Sequence, residues 1–271
     1  MAIATLPLVL AVVFVELAVG GAFLIWALDR TKQAPAGSLK LIAAVDAVAG
    51  ALAFGLLPTI PRGALAEQAK LHSPALDSFA TAVQLLAIVL IAQLITTFVP
   101  WRALRAIVSL AALLVGGGAF VAAAIARTTD PQTQFDPFAL LALPLGALAL
   151  GGVNAAMLLG HWYLVTPKIS AAPLRRASLI VLGAVAGQAA LVAVTIARGQ
   201  LVAVGESSLG VAVGIRIGVG IAMTFGLVAA AWWTARMNTQ SSTGLLYVAL
   251  GTVLAGEVAA RVVFYLTGAG M

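Results

Sequence analysis

Eight continuous apolar runs of about twenty residues or more fill this chain, at about 4–28, 39–60, 76–99, 103–126, 137–164, 175–197, 208–234 and 243–266. An α-helix needs roughly 20 apolar residues to cross the ~30 Å hydrocarbon layer of a bilayer, where every backbone N–H must be satisfied inside the protein. The runs do not alternate apolar with polar residues, as a membrane barrel requires. The sequence therefore predicts an all-α polytopic membrane protein: a bundle of eight transmembrane helices forming a single transmembrane domain over residues 1–271. The connections are short and rich in Pro, charge or polar residues. The longest, Pro61 to Ala75, has room for a short interfacial helix.

Composition narrows the function classes. Of 271 residues, 62% are hydrophobic and 9% charged, against about 25% charged in soluble domains, and eight spans leave no room for a soluble catalytic domain. With no cysteine the chain holds no iron–sulfur cluster by thiolates, forms no disulfide and offers no thiol nucleophile. The net charge of +6 resides mainly in short loops, where basic residues orient helices and meet anionic lipid rather than nucleic acid.

Loop charge predicts the orientation. The connections after the odd-numbered runs hold Arg30, Lys32, Lys40, Arg102, Arg105, Lys168, Arg175, Arg176 and Arg236, whereas those after the even-numbered runs hold Arg62, Lys70, Arg127 and Arg198, diluted by Glu67, Asp130, Asp136 and Glu206. Nine against four places the first set in the cytoplasm and both termini outside. Trp26, Trp101, Trp162, Trp232 and Trp233 fall near the same ends. Met1 to Val15 lacks a basic stretch, so the first run is read as an uncleaved outside-in helix rather than a signal peptide.

Charges inside the runs are the informative residues, because burying one at bilayer depth costs at least ~2.5–3.5 kcal/mol. Glu16, Arg216, Glu257 and Arg261 are such residues, two acids and two bases. At 1.5 Å per residue, Glu16 and Glu257 fall near the middle, with Arg216 and Arg261 displaced toward the outer leaflet. Glu257 and Arg261 are four apart and share a helix face. They form either a self-neutralising salt bridge or part of a proton-handling site, and Glu16 is a partner for Arg216 or Arg261 or a proton carrier itself. Gly20, one turn after Glu16, lets a neighbouring helix approach. Gly210, Gly214 and Gly218 form a small-residue stripe opposite Arg216, which implies that the seventh helix is covered by protein on both faces. Asp46 is satisfied by Lys40 or a hydrated cavity, and Gln84, Gln93, Asn154 and Gln188 form helix–helix hydrogen bonds. His72 and His161 belong to opposite sides of the bilayer, which argues against a bis-histidine haem. His161, in Gly160-His161-Trp162-Tyr163, is an interfacial residue beside an aromatic belt or a cytoplasmic-side ligand or proton carrier.

The last run reads Leu254-Ala255-Gly256-Glu257-Val258-Ala259-Ala260-Arg261-Val262-Val263-Phe264-Tyr265 and resembles the final helix of the DMSO reductase membrane anchor subunit family, in which Gly-Glu is followed by Ala-Arg and then Phe-Tyr. Glu16 followed by Gly20-Gly21-Ala22-Phe23 is similar to that family's first helix, where a Gln often precedes the Gly-Gly pair; Arg216-Ile217 and Leu71-His72 with Pro74 fit more weakly. The resemblance implies an anchor that exchanges electrons between a membrane quinone, menaquinone or ubiquinone, and an iron–sulfur subunit attached to a molybdenum enzyme. It implies no haem and no cluster in this chain, a bacterial or archaeal cytoplasmic membrane, and His72 as a quinol-site residue. On this reading Glu16, His72, Arg216, Glu257 and Arg261 are the quinone-binding or proton-handling candidates, with Asp46 and His161 secondary and no metal ligands. A stand-alone transporter or ion-coupled membrane protein, with Glu16, Asp46 and Glu257 as coupling sites, and a purely structural membrane subunit remain the alternatives.

Overall fold

The computed structural model describes residues 2–127, 137–166, 170–199 and 208–271; Asp130, Asp136, Lys168 and Glu206, counted above, lie outside the described residues. Among the described residues the chain is an all-α bundle with eight helices long and apolar enough to cross a membrane. They are α1 (Ala2–Asp29), α2 (Ala36–Leu56), α3 (Ser73–Thr96), α4 (Arg102–Ile125), α5 (Pro137–Val165), α6 (Ala172–Ala197), α7 and α8 (Thr239–Thr267). Helix α7 is composite: α-helical over Ser208–Gly214, π-helical over Ile215–Met223 and α-helical again over Thr224–Thr234. The helices begin and end up to four residues from the apolar runs because polar first turns are helical too. Helix α8 starts at Thr239 because the Asn238 side chain accepts the N–H groups of Gln240 and Ser241.

Helix α1 is the most deeply buried span, followed by α5 and α8; the other five turn most of their apolar surface outward. Side chains such as Ile88, Ile91, Ile107 and Leu114 are exposed on these outer helices, as expected for surfaces that face lipid. Helix α1 packs on α5, α2, α4 and α8, and α8 also packs on α5 and α7. At the α1–α5 crossing, Gly20 meets Ala147 and Gly151 so closely that a Cβ on Gly20 or Gly151 would overlap the partner's backbone.

Adjacent helices run in opposite directions, so the bundle has a basic end, where the loops after α1, α3, α5 and α7 lie, and a far end. The connection from Ile60 to His72 caps the far end. Its one turn of helix, Ala64–Gln68, closes with Lys70 at φ 56°, Leu71 N–H on Ala66 O at 2.8 Å and Lys70 N–H on Glu67 O at 2.9 Å. Arg127 donates to the carbonyls of Ala69 (3.4 Å), Lys70 (3.2 Å) and Leu266 (3.1 Å), tying this cap to the end of α8. Burial pushes the Arg127 guanidinium below the ordinary arginine value.

Candidate functional site

Four of the expected site residues meet at the centre of the bundle. Glu16, Arg216 and Glu257 are fully buried and Arg261 is 1% exposed. Arg261 Nη2 lies 2.8 Å from Glu16 Oε1 and donates to Glu257 Oε2 at 3.0 Å and to Ala142 O at 3.1 Å. Arg216 Nη1 donates to Glu257 Oε1 at 2.7 Å, and Gln188 Nε2 donates to the same oxygen at 2.7 Å. Glu257 is therefore the hub, Arg261 bridges it to Glu16, and Arg216 depends on Glu257 alone. Two positive and two negative charges cancel within one desolvated cluster contributed by α1, α6, α7 and α8.

The guanidinium groups of both arginines meet the glutamate carboxylates, although Arg261 stands four residues beyond Glu257 along α8. Side chains on a helix lean toward its N-terminus, and Arg261 reaches back one turn to Glu257. Three glycines make room for the cluster. A Cβ on Gly146 of α5 would sit 2.7 Å from Arg261 Nη2, 2.7 Å from Glu257 Oε2 and 2.8 Å from Glu16 Oε1. Gly220 and Gly256 meet backbone to backbone at the α7–α8 crossing, so no side chain fits on either. Arg216 lies in the π-helical stretch, where Thr224 Oγ1 bonds back five residues to Val219 O at 3.2 Å; such stretches recur at functional sites.

Several expectations need correction. Gly214 and Gly218 face open space, with nothing within 4 Å of an added Cβ, so α7 is covered on one side only and the glycine that packs is Gly220. Asp46 is fully buried beside Gly21, and neither carboxylate oxygen has a hydrogen-bond partner among the described residues. Lys40 turns away from it, 4.5 Å over the ring of Phe98. Gln84 is exposed, in register with Asp77, Thr81 and Ile88 on the outward face of α3. Gln93 does bond across helices, to Ser109 Oγ at 2.8 Å. His72 is exposed, beginning α3 in a groove of about 330 Å³ with Ser78, Gly118 and Val121; it takes no part in the central cluster. His161 is exposed too, its Nδ1 3.0 Å from the Tyr247 hydroxyl.

The cluster has polar capacity to spare. Glu16 Oε2, Arg216 Nε and Nη2, Arg261 Nε and Gln188 Oε1 have no hydrogen-bond partner among the described residues. A cavity of about 250 Å³ lies beside it, lined by Val19, Gly20 and Phe23 of α1, Leu113, Gly117 and Phe120 of α4, and Pro144, Ala147 and Leu148 of α5. No side chain of the cluster lines it, but Gly20 is one turn from Glu16 on α1, and Pro144 and Ala147 flank Gly146, the α5 glycine that faces the cluster. Sequence reading missed Gly146 and this cavity, because neither a glycine nor an apolar wall stands out in an apolar run. Comparison of the chain with protein-family models, curated proteins and solved structures finds no match.

Proposed function

We propose that this chain is a quinone-reactive membrane subunit of the bacterial or archaeal cytoplasmic membrane, anchoring an iron–sulfur partner attached to a molybdenum enzyme. One observation carries the reading: a charge-balanced cluster with unfilled donors and acceptors at membrane depth, one helical turn from an apolar cavity. Quinol oxidation releases two protons and two electrons, so its site must combine an apolar berth, a hydrogen-bond donor for a ring oxygen and a proton acceptor. Arg216 supplies donors through Nε and Nη2, and Glu16 supplies the acceptor through Oε2, which among the described residues has neither an ion pair nor a hydrogen bond. Glu257 and Arg261 position these two groups. The electrons pass to the partner, since this chain offers no thiolate to hold a cluster.

Asp46 favours a second reading. Asp46 of α2, a buried carboxylate beside Gly21 with no hydrogen-bond partner among the described residues, is what an ion-coupled transporter would use as a coupling site. Binding of a quinone analogue to the purified full-length protein separates the two. Glu16→Gln and Arg216→Met are expected to weaken it at least tenfold while Asp46→Asn leaves it unchanged. A folded Arg216→Met protein that binds like the parent, or a parent that binds no analogue, overturns the quinone reading.

A further inference from the structure

At the basic end of the bundle, away from the central cluster, α1 and α4 enclose a cavity of about 210 Å³. Asp29, at the end of α1, holds Arg105 in a two-pronged pair, Nε to Oδ2 at 2.9 Å and Nη2 to Oδ1 at 3.2 Å, and both side chains are 9% exposed. That pair consumes the only carboxylate in the cavity wall. Three cations then line the mouth. Arg102 is 47% exposed and no closer to Asp29 than 3.8 Å. Arg30 lies over the Trp26 ring at 4.6 Å. Lys32 is exposed and held at φ 56° in the left-handed turn that ends α1, a position that favours glycine, so a cation is kept there at a conformational cost. The local charge, with Asp29 and Arg105 cancelling, is three positive.

The other wall of the cavity is apolar, made by Ile25 of α1 and Ala106 of α4, which continue into the span. Trp26 marks the level at which aromatic rings sit in a membrane interface. A compact positive mouth above an apolar furrow, at interface depth, matches one chemical class: a phosphodiester head group with acyl chains attached. We infer that this cavity is a binding site for an anionic phospholipid, with the phosphate held by Arg30, Lys32 and Arg102 and one acyl chain lying along Trp26 and Ala106. The Asp29–Arg105 pair is the positioning element, since it fixes α1 to α4 and keeps the carboxylate away from the phosphate. The site is independent of the quinone reading, because it shares no residue with the cluster.

The test uses the full-length protein, purified, stripped of lipid in a neutral detergent and titrated with phosphatidylglycerol or phosphatidylcholine, with bound lipid counted by native mass spectrometry. Phosphatidylglycerol is expected to bind in preference. A basic residue near an anionic surface contributes about 1 kcal/mol, which converts to about fivefold in affinity. Arg102→Gln, which leaves the Asp29–Arg105 pair intact, should weaken phosphatidylglycerol binding about fivefold. The combination of Arg30→Gln, Lys32→Gln and Arg102→Gln should weaken it about a hundredfold, with phosphatidylcholine binding unchanged. The combination Arg175→Gln with Arg176→Gln, elsewhere at the basic end, should leave phosphatidylglycerol binding within twofold of the parent. Parent-like binding by the folded triple variant overturns the site, as does an equal loss in the Arg175/Arg176 variant. Displacement of the lipid by millimolar inorganic phosphate would instead identify a simple anion site and overturn the lipid assignment.

Discussion

Glu257 receives hydrogen bonds from Arg216, Arg261 and Gln188, whereas Glu16 is held by Arg261 alone. This asymmetry sets the outcome of double substitutions. Removing one partner of a buried pair typically costs ~3–5 kcal/mol because the other charge is left uncompensated. Glu257→Gln leaves Arg216 without a counter-charge, while Arg261 keeps Glu16. Adding Arg216→Gln restores charge balance, and folded yield and thermal midpoint should recover by more than half of the loss. Adding Arg261→Gln instead orphans Glu16 as well as Arg216, so that double variant should be no better than Glu257→Gln alone. Equal rescue by the two arginine changes would show that the cluster is not wired through Glu257. Depth and charge single out all four residues in the sequence, because a charge inside an apolar run has no solvent to compensate it. Which arginine serves which glutamate is not legible there, since it depends on which helices are neighbours.

Helix α7 shows what spacing conceals at the scale of an element. Its Gly210, Gly214 and Gly218 repeat at the interval that marks close helix contacts, yet Gly214 and Gly218 face outward and the contact is made by Gly220 against Gly256 of α8. The nine-residue π-helical stretch Ile215–Met223 closes its hydrogen bonds over five residues instead of four and so holds more residues in each turn than an α-helix, and periodicity at 3.6 residues per turn assigns the wrong face. Thr224 and Thr252 then meet through their hydroxyls at 2.8 Å, a second tie between the same helices. A methyl group on Gly220 has no space without separating the two backbones, and overpacking of this kind costs typically 1–3 kcal/mol. Gly220→Ala should lower the thermal midpoint of the purified protein clearly, while Gly218→Ala should leave it unchanged or raise it slightly through helix propensity. Matching losses from the two substitutions would mean that α7 packs through its regular stripe after all. The eight spans themselves are legible to within four residues, because length and continuity of apolar residues decide them. The central burial of α1, α5 and α8 is less so, since lipid-facing and protein-facing residues are equally apolar.

For the whole molecule, the even number of spans places both ends of the chain at one end of the bundle, and the distribution of charge then decides which side of the membrane that is. Among the described residues, the basic end carries Arg30, Lys32, Lys40, Arg102, Arg105, Arg175, Arg176 and Arg236. Trp26, Trp232 and Trp233 lie beneath three of them, with Arg30 4.6 Å over Trp26, Arg175 5.3 Å over Trp232 and Arg236 4.6 Å over Trp232. Stacking on interfacial rings keeps these cations at the membrane surface, where the charge bias acts on insertion. The far end opposes these eight with four, Arg62, Lys70, Arg127 and Arg198. Its Arg127 is bound to three carbonyls rather than free to meet head groups, and Lys70 is the residue whose carbonyl receives one of those bonds. The basic end is therefore expected in the cytoplasm and both termini outside. Reporters fused after Arg105 and after Arg176 should read as cytoplasmic, and one fused after Arg127 as external. An external reading after Arg176 would invert the bundle. It would place the three-cation cavity of α1 and α4 in the outer leaflet and bring the cap between Ile60 and His72 to the cytoplasmic side.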